Sequence, residues 1–191
     1  MTRTFIALEL NEALQRHLSK VIREMASALP DLRWVNPTGI HLTLAFLGEL
    51  DNTQLEQATA AAAVAARQTQ PFSYRLTKPG FFGSPRSPRV IWMGIEEPVG
   101  KLTRLHRVLN QDLEQRGFEI DKRPFSPHLT LARVKAPLTP DEQQTLQRLL
   151  ADAHLSKPSP PYTVNGLAVM KSELSRSGAK YSAIREMPFG K

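Results

Sequence analysis

One pentapeptide occurs twice in this chain, as His41-Leu42-Thr43-Leu44-Ala45 and as His128-Leu129-Thr130-Leu131-Ala132. The copies lie 87 positions apart, from 41 to 128, so each half of the 191-residue sequence holds one. Each copy reads as a β-strand, because apolar and polar residues alternate. Alternation sends Leu42 and Leu44 to one face and His41 and Thr43 to the other, and the second copy behaves alike. The leucines belong in a core, so the His/Thr face looks into a cleft. A single His-x-Thr is weak evidence, since a lone strand histidine is usually an ordinary surface or core residue. An identical repeat, in a chain with five histidines, makes His41 and His128 candidates for one shared site. His17, His106 and His154 sit in polar, helix-like contexts and read as surface residues.

The pattern around the motifs repeats as well. A strand from Phe5 to Leu10 leads, through a cap at Asn11, into a helix to about Leu29. Its apolar stripe is Leu14, Leu18, Val21, Ile22 and Met25. A short strand at Arg33–Val35 and a turn at 36–39 precede the first histidine strand, Ile40 to about Leu47. Residues 51–53 cap an alanine-rich helix to about Thr69, and strands follow at Phe72–Leu76 and Val90–Ile95. The second half reads as a helix Val99–Arg116 closed by Gly117 and a short strand Phe118–Ile120. The second histidine strand, Pro127–Val134, and a helix Pro140–Ala153 come next. A linker at 158–161 and strands Tyr162–Met170 and Lys180–Ile184 close the chain. The expected fold is a single α+β domain over 1–191. It has two pseudo-symmetric lobes, about 1–95 and 96–191, whose antiparallel or mixed sheets face a central groove with helices outside.

Composition narrows the chemistry. There is no cysteine, hence no disulfide, thiolate nucleophile or thiolate-held metal. No apolar run approaches the ~20 residues that span a bilayer. The apolar stretch near the N-terminus meets charge too soon for a signal peptide. No membrane contact, a cytoplasmic location and a monomer are the expectations. The net charge is +7, with 10 basic and 7 acidic residues in 1–95 and 15 and 11 in 96–191. A positive balance spread over both halves favours a polyanionic partner such as nucleic acid.

Displacement at phosphorus needs a base where the nucleophile enters and an acid where the leaving oxygen departs. Two histidines facing each other supply both, and an ordinary pKa of ~6.5 lets neutral and protonated forms coexist. Threonine hydroxyls can donate to the non-bridging oxygens, where charge develops. A two-histidine zinc site would need further ligands, and neither His-Glu-x-x-His nor a Cys/His set is present. No metal and no cofactor is called for. A strained 2′,3′-cyclic phosphate at an RNA end suits such a site.

The paired motifs resemble those of the two-histidine phosphoesterases. More closely, the stretches from His41 to Gly48 and from Arg123 to Arg133 resemble the RNA 2′,3′-cyclic phosphodiesterases, also called 2′-5′ RNA ligases of the LigT or ThpR type. Phe5–Leu8, Arg89–Gly94 and Lys180-Tyr181 extend the resemblance over nearly the whole chain. It implies a LigT-like fold and hydrolysis of a terminal 2′,3′-cyclic phosphate to a 2′-phosphate. His41 would be the proton donor to the departing 3′ oxygen and His128 the acceptor that activates water. It implies a weak reverse reaction making 2′-5′ linkages. The partner would be RNA with cyclic-phosphate ends, tRNA halves among the candidates.

Thr43 and Thr130 are the candidate phosphate donors. Arg133 follows His128 by five positions, and strict alternation puts it on the leucine face, so a bend or bulge is needed to bring it to the phosphate. Phe46 stands at the corresponding place after His41, to stack a base or fill the core. Arg123 is a further candidate to neutralise phosphate. Residues 78–89 and 172–181 interleave basic residues with aromatic ones and read either as loops lining an RNA groove or as ordinary hairpin loops. An RNA-end-binding module without turnover stays open as an alternative. So does the same chemistry on another cyclic phosphate or on a 2′-5′-linked nucleotide.

Overall fold

The computed structural model describes residues 1–175 and 178–190. Their elements run β1 (Thr2–Glu9), α1 (Glu12–Ala28), β2 (Arg33–Trp34), β3 (His41–Leu50), α2 (Asn52–Arg67), β4 (Phe72–Ser84), β5 (Ser87–Glu96), α3 (Lys101–Gln115), β6 (His128–Arg133), α4 (Pro140–Ala151), β7 (Tyr162–Val164), β8 (Gly166–Ser175) and β9 (Gly178–Pro188). This is the expected α+β class. Strand orders are β3-β1-β8-β9 in one sheet and β2-β6-β5-β4-β7 in the other. The pairings are antiparallel. No helix among the described residues is long and apolar enough to cross a membrane.

Local chemistry accounts for the helices. The Asn11 side chain accepts from the Leu14 amide at 2.9 Å and starts α1, whose apolar stripe is buried as read. Asp51 with Gln54, and Thr139 with Glu142, form capping boxes on α2 and α4. The buried face of α2 is alanine at 58, 61, 62, 65 and 66, which lets α3 approach it closely.

The 87-residue spacing governs more than the motifs. It carries Thr2–Glu9 onto 89–96, where β5 ends, and Glu12–Ala28 onto 99–115, where α3 ends. The repeating unit is therefore β1-α1-β3-α2-β4 followed by β5-α3-β6-α4-β8, and the two meet at the turn of residues 85–86. A division near residue 95 does not describe the sheets. The last strand of each unit crosses over: β4 pairs with β5, and β8 pairs with β1. One core then serves both sheets, with Ile6, Leu42 and Leu44 in the same buried cluster as Ile91, Leu129 and Leu131.

Both histidine strands carry a bulge at the same motif position. In β3, Ala7 faces Thr43 and Ile6 faces Ala45, so the ladder skips Leu44. In β6, Trp92 faces Thr130 and Ile91 faces Ala132, so it skips Leu131. A bulge shifts side-chain parity by one. Leu44 and Ala45 are consequently both buried, as are Leu131 and Ala132, and the next residues, Phe46 and Arg133, return to the exposed face. The leucines hold the register. Leu42, Leu129 and Leu131 are 0% exposed and Leu44 3%. Each fully buried leucine is worth ~1.5–3 kcal/mol over an exposed one, so a slip that turned them out would unfold the strand.

Three expectations are corrected. Residues 78–89 form a hairpin, one of the two readings, but most of it is strand and not loop: β4 and β5 pair down to Ser84 and Ser87, with Pro79 accommodated beside an irregularity in the ladder. Residues 118–120 are not a strand. They have no partner strand; Phe118 and Ile120 pack against the core instead, and the segment to residue 127 walls the groove. Most of 172–181 is the β8–β9 hairpin, while Arg176 and Ser177 of that candidate loop lie outside the described residues.

Candidate active site

A groove of about 920 Å³ opens between the histidine strands. Thr43 and Phe46 line it from β3, and His128 and Arg133 from β6. Phe82, Arg89, His106, Asn110, Arg123 and Phe125 complete much of the wall. His41 and Thr130 stand outside that lining and are partly buried. The bulge at Leu131 supplies the bend that Arg133 requires, and the one at Leu44 does the same for Phe46. Phe46 is 56% exposed, with the Arg3 guanidinium 5.2 Å from its ring centre.

The two histidines are held alike. His41 Nδ1 lies 2.9 Å from the Gly39 carbonyl, and His128 Nδ1 lies 2.7 Å from the Ser126 carbonyl. A carbonyl oxygen only accepts, so in each ring Nδ1 carries the proton and donates it. Nε2 is left as the nitrogen free for chemistry on both rings. The accepting carbonyl comes from the residue two positions before each histidine, so the repeat reproduces the orientation along with the motif.

Each ring also has two aromatic neighbours that the sequence reading left without a role. Phe5 stacks on His41 with centroids 4.4 Å apart, and Tyr181 meets it edge-on at 4.8 Å. Phe82 meets His128 edge-on at 4.7 Å, and Trp92 lies 6.4 Å away. Phe5 and Trp92 are related by the same 87-residue spacing as the histidines, and that spacing was the signal available to find them. Trp92 in turn lies directly over Gly80, where a Cβ would meet its ring at 2.3 Å. Burial under its neighbours pushes the His41 pKa down to about 4. His41 is thus neutral at pH 7.

Arg123 sits on the groove rim, but its guanidinium is engaged by Asp121, with Nε 2.9 Å from Oδ1 and 3.0 Å from Oδ2. That pairing holds the Asp121 carboxyl down to about 2. The arginine therefore reaches the groove already partnered. His106 is not a simple surface residue: it is half-buried in the groove wall, its ring parallel to Phe125 at 3.8 Å. His17 is half-buried too, with Nδ1 3.2 Å from the Tyr162 hydroxyl.

Comparison with known proteins converges on one group. The model of the 2′-5′ RNA ligase superfamily matches residues 11–176. The chain is 30% identical over 187 residues to the RNA 2′,3′-cyclic phosphodiesterase of Thermotoga maritima, covering 98% of this chain and 95% of that one. It is 30% identical over 184 residues to the enzyme of the same name from Geobacillus stearothermophilus, covering 96% of this chain but spanning only 56% of that longer protein. The crystal structure of E. coli LigT complexed with 3′-AMP is similar over 100% of this chain and 99% of that one, at 25% identity and a TM-score of 0.75.

Proposed function

The chain belongs to the 2′-5′ RNA ligase superfamily, and from that premise we propose that it is an RNA 2′,3′-cyclic phosphodiesterase working by paired histidine acid-base catalysis without a metal. The observation that carries this reading is the matched tethering of His41 and His128, which leaves two Nε2 atoms for proton transfer. Water attacks the phosphorus of the cyclic phosphate, and His128 Nε2 takes its proton as the new P–O bond forms. The bond from phosphorus to the 3′ oxygen breaks, and His41 Nε2 delivers the proton to that oxygen. The products are a 2′-phosphomonoester and a free 3′-hydroxyl. The Thr43 and Thr130 hydroxyls donate to the non-bridging oxygens, Arg133 adds positive charge, and Phe46 offers a face to a base.

A pKa near 4 leaves His41 without the proton it must give. The anionic phosphate supplies the remedy, since an opposite charge within ~4–6 Å favours the charged form by 1–3 pKa units. His41 takes up its proton together with the substrate. The substrate class is RNA bearing a 2′,3′-cyclic phosphate end, including tRNA halves, and the reverse reaction is a weak 2′-5′ ligation. The protein acts as a monomer in the cytoplasm.

Turnover of 2′,3′-cyclic nucleotides and of a short RNA with a cyclic end, with EDTA present, tests the reading. The expected product is the 2′-phosphate. His41→Ala and His128→Ala are each expected to lose on the order of 10²–10⁴-fold in kcat, and the double variant little more. Binding of such ends without turnover would make the protein an RNA-end-binding module instead. Loss of activity on chelation, restored by zinc or manganese, would move the chemistry to a metal.

A further inference from the structure

Helix α3 touches one histidine strand and the segment that leads into the other, through two residues one turn apart. Asn110 is buried at 8% exposure, and its Nδ2 donates to the His106 carbonyl at 2.8 Å and, at a longer 3.4 Å, to the Leu44 carbonyl. Leu44 is the residue that the β1–β3 ladder skips. A buried carbonyl at a bulge needs a donor from elsewhere, and Asn110 provides it. His106 faces the segment that precedes the other strand. Its ring lies flat against Phe125, with planes 12° apart. Phe125 precedes Ser126, whose carbonyl orients His128. The stretch 118–127 has no ladder of its own, so that carbonyl is placed by packing.

We propose that His106 and Asn110 are positioning residues that fix the two histidine strands relative to each other, Asn110 by tying down the bulge beside Thr43 and His106 by seating, through Phe125, the carbonyl that orients His128. The inference rests on the reading of the groove as a two-histidine phosphodiesterase site. Neither residue transfers a proton. Both act on geometry, so their loss is read in kcat and in the state of the histidine rings, with KM little changed. The stack needs a flat ring at 106 and no titration there, so phenylalanine substitutes for the histidine.

Nitrogen-15 NMR of the histidine rings, taken with steady-state kinetics on a 2′,3′-cyclic nucleotide, tests this. In His106→Ala the His128 ring nitrogens are expected to lose the pattern of a protonated Nδ1 and bare Nε2 and move toward an average of the two tautomers, while His41 keeps its own. The kcat falls about tenfold, within the ~10²-fold that a displaced catalytic group can cost. His106→Phe restores both readings. In Asn110→Leu the amide signal of Ala45, which shares a peptide unit with the Leu44 carbonyl, shifts and kcat falls with KM within twofold. Unchanged His128 nitrogens in His106→Ala, or a phenylalanine variant as impaired as the alanine one, overturns the assignment of His106. An unmoved Ala45 amide overturns that of Asn110. If the unaltered protein turns over no cyclic phosphate, the phosphodiesterase reading is what fails, and the NMR signals still decide whether α3 holds the two strands.

Discussion

Leu44 and Leu131 occupy the same place in the repeat, and each is passed over by the ladder of its own sheet. The bulge they share returns Phe46 and Arg133 to the side of their strands that carries Thr43 and His128, and all four line the groove.

Thr43 and Thr130 are the first test of the His-x-Thr unit. Replacing either by valine keeps shape and β-propensity and removes the hydroxyl donor. The expected outcome is a loss of roughly 10–10³-fold in kcat/KM, the upper end being that of a lost oxyanion donor, with the melting temperature nearly unchanged. Normal kinetics in both variants would reduce the threonines to strand fillers.

The lowered pKa of His41 bears directly on the pH profile. As pH rises through about 4, His41 in the free protein loses its proton, so with His41 as the proposed donor kcat/KM is expected to fall as pH rises above that value. That fall should vanish from the residual activity of His41→Ala. The direction of transfer is read separately in His128→Ala: if His41 donates, residual kcat falls as pH rises through its pKa in the complex, and a rising limb would make it the acceptor. Stability follows the same group. Between its ordinary 6.5 and about 4 the unfolded chain binds a proton that the folded one refuses, so stability drops as pH falls through that window and is unaffected above it.

Gly80 has no room for a methyl group. A Cβ there would sit 2.3 Å from the Trp92 ring, and that ring packs on Phe82, which meets His128 edge-on. Overpacking of this kind costs ~1–3 kcal/mol. For a chain of this size that corresponds to a fall of about 2–12 °C in Tm. Gly80→Ala should show this in a thermal melt together with a reduced kcat. Adding Trp92→Leu should recover the Tm but not the activity. A Gly80→Ala protein with unaltered Tm would mean that the tryptophan moves freely.

The histidine strands, the helices and their caps were legible because they rest on local rules: period-two alternation, one apolar stripe, an Asn or Asp before a helix. The need for a bulge before Arg133 was legible as well, since parity alone excluded the groove. Residues 78–89 misled because Pro79, Gly80, Gly83, Pro85 and Pro88 signal a loop, whereas an irregular ladder and a close tryptophan were their actual reason. His106 could not be told from a surface histidine, because what defines it is a ring from a segment 19 residues away. Nor was the crossing of β4 and β8 readable, since antiparallel pairing leaves no mark of which strand is the neighbour.

That crossing has a consequence for how the molecule could ever be taken apart. Each copy of the duplicated unit lends a strand to the other's sheet, so the two are interlocked like clasped hands rather than set side by side. A fragment ending at residue 85 would keep His41 yet leave β1 with one bare edge, and the remainder would keep His128 while β5 lost β4 from one of its edges. Neither piece holds half an enzyme. The separation of the two imidazoles is built into the weave of the chain itself, while the copies differ along the groove wall, where one carries a phenylalanine at 46 and the other an arginine at 133.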